Sequence, residues 1–170
     1  MWFAGIFVKA GIFMFAVGDK IVCPLHGGGV VEDIISRDED GLRSEVMILR
    51  IACAGVKITL PVASADSSNI RHIMTDKQAA EFLRNIPLLE CEIDVNWAKR
   101  YRENMDKLKS GSALETAKVY KALHLRSGSK GLSAGERKMF HCARQVLISE
   151  LSLSFGCEKD EAERRLLEVI

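Results

Sequence analysis

A chain of 170 residues in which 48% are hydrophobic and 28% charged carries enough apolar material for a packed core, which excludes a disordered chain and leaves one domain or two small ones open. The formal net charge of +1 gives no sign of a polyanion partner, yet the charge is unevenly spread. Asn96 to Arg144 holds twelve Lys/Arg against four Asp/Glu, a surplus of eight, whereas Gln145 to Ile170 holds three against six.

The first thirteen residues, MWFAGIFVKAGIF, are apolar with one lysine, too short for a bilayer span and without the basic start or cleavage site of a secretion signal. Residues 1–13 read as a hydrophobic extension or an over-called start, with Met14 as a natural beginning. From Val17 to about Ile73 the pattern is short strands: Lys20 to Cys23, Gly29 to Ser36, Arg43 to Ala52 and Val56 to Val62. Asp38-Glu39-Asp40-Gly41 and Ala52-Cys53-Ala54-Gly55 sit where hairpin loops belong, and Pro61 near a strand end suggests an edge. Four or five such strands in under 60 residues predict a small, strongly bent antiparallel barrel of SH3 or Tudor type.

After Thr75 the period becomes helical. Thr75 to Gln78, Ser112 to Glu115 and Ser133 to Glu136 each read as a capping box, in which side chains at both ends satisfy orphan amides. Helices are expected over about 75–86, 96–110, 112–127, 133–155 and 158–169. The fold class is therefore α+β with two domains: the barrel at 14–73 and an all-α domain at 74–170.

Five cysteines without a C-x-x-C pair suggest neither a disulfide framework nor a zinc knuckle and fit a reducing cytoplasm. Cys23 and His26 are three apart, but no second pair completes a metal site, and no metal or cofactor is expected. His26-Gly27-Gly28-Gly29 resembles an oxyanion-hole string, and Gly131-Leu132-Ser133-Ala134-Gly135 fits a nucleophile elbow. An elbow needs a preceding strand in a large parallel sheet, whereas Ser133 follows a helix and a glycine turn. Its hydroxyl is better explained as a helix cap, and the glycine run as a turn between two barrel strands. The chain is not read as an enzyme, and no small-molecule substrate is expected.

Trp97, Tyr101, Met105 and Leu108 fall at spacings of four, four and three, one apolar helix stripe on which a tryptophan is ordinarily core. Lys99, Arg100 and Arg102 surround that tryptophan, and an aromatic beside phosphate-binding cations suits insertion into a minor groove. Lysines 107, 109, 118, 121 and 130 suit solvated helix faces equally well, and Arg37 and Thr59 are by default a hairpin arginine and a strand residue.

The segment F-x-V-G-D-K-I-V-C-P-L-H-G from Phe15 to Gly27 resembles the opening of the CarD/CdnL transcription factors. Asn96-Trp97-x-x-Arg100-Tyr101-x-x-Asn104, Lys107-Leu108-x-Ser110-Gly111, Lys130-Gly131-Leu132-Ser133-x-Gly135-Glu136 and Ala143-Arg144-Gln145 follow in family order. The resemblance spans Met14 to Ile170. It implies a Tudor-like RNA polymerase interaction domain followed by a helical DNA-binding domain in a bacterial, cytoplasmic protein that acts as a monomer without a membrane. An exposed edge strand, here about Lys57, Ile58, Thr59 and Leu60, would pair with the lobe of the polymerase β subunit. Arg37 matches an interface arginine, while a second one is replaced by Thr59. Trp97 matches a tryptophan that inserts into promoter DNA, in the minor groove at the upstream edge of the bubble, and Arg102 a basic position beside it. Lys99 and Arg100 continue that patch, and Arg137 and Lys138 suit phosphate contact by charge. The alternatives are a polymerase-binding adaptor whose helical domain contacts another protein or RNA, and a standalone nucleic-acid module.

Overall fold

Val, Ile and Leu spaced along the first third of the chain, with turn residues between the runs, favour short strands that cover one another in an antiparallel sheet. The computed structural model describes residues 15–39, 42–64, 68–91 and 95–170. The apolar extension 1–13, the start at Met14 and the hairpin residues Asp40 and Gly41 lie outside them. Strands β1 (Lys20–Cys23), β2 (Gly27–Glu39), β3 (Leu42–Ile51), β4 (Lys57–Pro61) and β5 (Arg71–His72) form one antiparallel sheet of order β4-β3-β2-β1-β5. A register shift between Val31 and Asp33 bends β2 at Glu32, whose carboxylate binds Arg50 on β3 at 2.7 Å and Lys57 on β4 at 2.6 Å. Ile21, Val31, Met47, Leu49 and Ile51 fill the concave side with Phe15 and Ile70, which gives the sheet its own core.

The glycine run behaves differently from its expected role as a turn. Gly27, Gly28 and Gly29 belong to β2 and pair with β1, and the turn is made by Pro24, Leu25 and His26. The reason is packing against a helix. A Cβ on Gly27 would lie 2.5 Å from Ser149 Oγ, and one on Gly28 3.1 Å from the Glu150 Cα. Side chains are excluded so that helical backbone can press onto the strand.

The second half contains α1 (Asp76–Asn85), α2 (Trp97–Lys109), α3 (Ala113–Ser129), α4 (Ala134–Phe155) and α5 (Lys159–Leu167) among the described residues. Thr75 and Ser133 close reciprocal capping boxes with Gln78 and Glu136. Ser112 caps α3 from one side only: it accepts from the Glu115 amide at 3.3 Å, but the Glu115 carboxylate bonds Lys118 at 2.7 Å instead of reaching back. Tyr120, Leu123, Leu147, Leu151 and Leu166 centre a helical core separate from that of the sheet. Lys121 Nζ donates to the carbonyls of Ile86, Pro87 and Leu89 at 2.8–3.1 Å, tying the end of α1 to α3.

The turn between α2 and α3 docks on the sheet. Gly111 has φ +72°, and a Cβ there would sit 2.3 Å from the Asn69 carbonyl oxygen. Gly111→Ala combines a left-handed backbone with a clash against main chain, so chemical denaturation is expected to show a loss of about 2 kcal/mol.

Candidate nucleic-acid and polymerase interfaces

In an antiparallel ladder successive residues point their backbone groups to opposite sides, so one bond fixes the parity of the rest. The Ile51 amide donates to the Val56 carbonyl at 2.9 Å. Ile58 and Leu60 therefore turn their backbone groups toward β3, and Lys57 and Thr59 turn theirs outward. Pro61 falls on the outward parity as well, where its missing N–H costs the sheet nothing. Side chains alternate in the same register: Ile58 and Leu60 pack on the sheet core, while Lys57 and Thr59 are exposed. Strand β4 is an edge whose outward donors and acceptors suit an added strand. Arg37 is exposed on the β2–β3 hairpin opposite Ser44, four residues along β3 from Ile48, the partner of Thr59. That is about 13 Å from the centre of the edge, so the two expected contacts lie at different points of the sheet.

In the helical half, the starts of α2 and α4 converge. Asn96 caps α2 by accepting from the Lys99 amide at 3.2 Å, and Ser133 caps α4 by accepting from the Glu136 amide at 3.2 Å. Trp97 Nε1 donates to Ser133 Oγ at 3.3 Å and joins the two starts. The indole lies 5.7 Å from the Tyr101 ring, and Gly135 leaves room for that ring, since a Cβ there would be 3.2 Å from Tyr101 Cε2. The apolar stripe grades outward from buried Leu108 through half-buried Met105 to Tyr101 and Trp97, which is 51% exposed. Trp97 is thus backed by protein and open on its outer side. Lys99 and Arg102 are exposed on α2 and Arg137 and Lys138 on α4, with Lys99 3.7 Å from Glu103 and Arg137 donating to the Leu132 carbonyl at 3.0 Å.

Arg100 departs from the expected basic patch. It is 8% exposed, donates to Glu136 Oε1 from Nε at 3.3 Å and Nη2 at 3.1 Å, and to the Val95 carbonyl at 2.7 Å. One helical turn in from a solvent-facing Trp97 the chain meets α4, so a residue at that position turns inward. Glu136, 2% exposed, is the hub: it also accepts from the Ser133 amide at 3.0 Å and has Arg126 Nε 3.3 Å away. Burial alone pushes the Glu136 carboxyl up; the Ser133 hydrogen bonds, the Arg100 guanidinium and the charge of Arg126 outweigh it and hold the group below its ordinary value. A lowered folded-state value gives stability that is present above the unfolded carboxylate range, about 4.3, and is lost as pH falls through the folded value. Acid titration of unfolding free energy should show that loss below about pH 4 in the native chain and a flatter, lower curve in Glu136→Gln.

Two further groups were not singled out from sequence. Arg71 on β5 holds the fully buried Glu150 of α4 through two bonds of 2.6 and 2.8 Å, and Ser149 Oγ accepts from the Gly28 amide at 2.8 Å. An acid inside the apolar run Val146 to Leu151 is the signal that marks Glu150, because an acid on a buried face requires a partner. Ser133, the serine of the elbow-like string, is committed to its capping box and to Trp97. The Cys23 thiol is pushed up to about 11 by burial, which keeps it protonated beside His26. Among the described residues no three His, Cys, Asp or Glu gather as a metal would need, and no helix is long and apolar enough to cross a membrane.

Comparison with known proteins bears on both halves. Residues 15–74 match the "CarD-like/TRCF RID domain" and residues 81–167 the "CarD, C-terminal domain". The chain belongs to the CarD family. It is also 34% identical over 145 residues, 84% of this chain and 94% of the relative, to the "Putative transcription factor YdeB" of Bacillus subtilis (strain 168). The sheet is therefore the Tudor-like RID domain of a CarD-family transcription factor, and the helices carry the CarD C-terminal domain.

Proposed function

We propose that this CarD-family chain binds the β subunit of bacterial RNA polymerase along β4 and prolongs the promoter open complex by placing Trp97 in the minor groove at the upstream edge of the bubble. The observation that carries the reading is a half-exposed indole where two helix starts converge, each of which also carries exposed cations, Lys99 and Arg102 on α2 and Arg137 and Lys138 on α4. Lys99 opposes the dipole of α2, which has no acid in its first turn, whereas the first turn of α4 holds Glu136. Such a placement costs α2 stability, which favours an external polyanion as its reason. Phosphate contacts would set register, and the indole would occupy the space that collapsing DNA must reclaim. An aromatic wedge worth about 1–2 kcal/mol changes the lifetime of the open complex roughly tenfold.

In this reading the barrel, 14–73, anchors and the helical domain, 74–170, holds the DNA, within one monomer in the cytoplasm and with no catalytic step. Arg37 and the exposed edge at Lys57 and Thr59 supply the polymerase contact, the edge chiefly through main chain. Thr59→Pro removes an outward donor while sparing the bonds to β3. It should weaken polymerase binding about fivefold to tenfold in a surface-immobilised assay, with the cooperative unfolding transition kept. A photoreactive phenylalanine at position 97, irradiated in the promoter complex, should crosslink to promoter DNA at the upstream bubble edge. Crosslinks to polymerase or RNA in place of DNA would contradict the reading.

A further inference from the structure

Among the described residues the bonds that join the sheet to the helical half lead to α4, which meets Trp97 at its start, and to the end of α2 and the turn after it. Arg71 Nε donates to the Gly111 carbonyl at 2.7 Å, while its Nη1 and Nη2 hold Glu150 on α4. Glu150 Oε1 also accepts from the Met74 amide at 3.0 Å. Asn69 Nδ2 donates to the Lys109 carbonyl at 3.0 Å, and Gly28 donates to Ser149 Oγ. One guanidinium on the shortest strand of the sheet therefore grips both the far end of α2 and the middle of α4. Trp97 sits at the opposite end of this thirteen-residue helix, which spans about 20 Å. Over such a lever a tilt of about 10° moves the indole by about 3.5 Å, one base step of a strand.

We infer that Arg71 and Glu150 are positioning residues that hold the α2–α4 wedge in fixed register to the polymerase-bound sheet, so that anchoring on polymerase fixes which base step Trp97 meets. Burial supports a role in placement. Glu150 is fully buried, and all three guanidinium nitrogens of Arg71 donate: Nε to Gly111, Nη1 and Nη2 to Glu150, and Nη1 also to the His72 carbonyl at 3.1 Å. A bidentate pair fixes orientation as well as distance, and the glycine seat at Gly27 and Gly28 leaves the helix no room to slide. The inference rests on the proposed open-complex role, and the experiment separates the two.

Glu150→Gln and Arg71→Ala, checked for a cooperative thermal transition, are compared with the native chain and Trp97→Ala for polymerase affinity and open-complex lifetime. The expected result is polymerase affinity within about twofold of native and a lifetime gain reduced several-fold. Register itself distinguishes placement from general stability. With a photoreactive phenylalanine at position 97, Glu150→Gln should spread the promoter crosslinks over neighbouring base steps, where the native background gives one. If the ion-pair variants fail to fold, Ser149→Ala, which removes the bond from Gly28 together with the hydroxyl's local bonds to the Gln145 and Val146 carbonyls, should give the same reading at smaller amplitude. Folded variants with native lifetime and an unchanged crosslink position would overturn the positioning role. A native chain without any lifetime effect would instead overturn the open-complex role itself.

Discussion

Trp97→Ala is expected to remove most of the lifetime that the protein confers on the open complex, roughly tenfold, at a cost of only about 1 kcal/mol in its own stability. The asymmetry follows from where the ring sits. A fully buried tryptophan cut to alanine costs about 3–5 kcal/mol, but this one is 51% exposed, and its support is one ring contact with Tyr101 and one hydrogen bond to Ser133. The Ser133 hydroxyl keeps its capping bond to Glu136 in the variant, so the start of α4 is not undone. Trp97→Phe should keep part of the lifetime, because a smaller ring still fills some of the space between base pairs, and should lose the bond to Ser133. Thermal unfolding and lifetime measured on the same preparations check both halves; loss of several kcal/mol with Trp97→Ala would return the ring to the core.

Arg100→Ala should be among the most damaging single changes in the helical domain, about 3 kcal/mol, whereas Arg102→Ala should change stability by less than about 0.5 kcal/mol. The two arginines are two positions apart and point to opposite sides of α2. Removing Arg100 leaves the Glu136 carboxylate almost completely buried with one of its two cations gone, and takes the donor from the Val95 carbonyl. Arg126 and the Ser133 bonds keep the loss near the lower end for a broken buried pair. Arg102 is exposed, and its loss should be felt on DNA: weaker binding across sequences and a shallower salt dependence by about one unit of slope. Urea denaturation of both variants distinguishes them.

The sequence carries the division into sheet and helices because turn residues, alternation and capping residues each act over a few positions. Thr75, Ser112 and Ser133 place three helix starts, and Pro61 marks the edge strand. What escapes is set by contacts far apart in the chain. The two-residue strand at Arg71–His72 is too short for alternation to show, and it exists because β1 offers it a partner. The glycines at 27 to 29 suggest a turn by local rule, and distant contacts explain why they are strand: α4, more than a hundred residues on, at Gly27 and Gly28, and β3 at Gly29. Arg100 and Arg102 look alike as members of a basic cluster, yet their exposure is decided by whether α4 or solvent faces each one. Trp97 is the converse: its stripe predicts a core residue, and the stripe runs out of partners at the point where α2 begins.

The most direct test of the central claim is the lifetime of competitor-challenged open complexes formed by cognate polymerase with its primary sigma factor, without addition, with the native chain and with Trp97→Ala. A lifetime that lengthens about tenfold with the native chain and returns close to the unassisted value with Trp97→Ala is the predicted result. An unchanged lifetime with the native chain, under conditions where it is bound to polymerase, would contradict it.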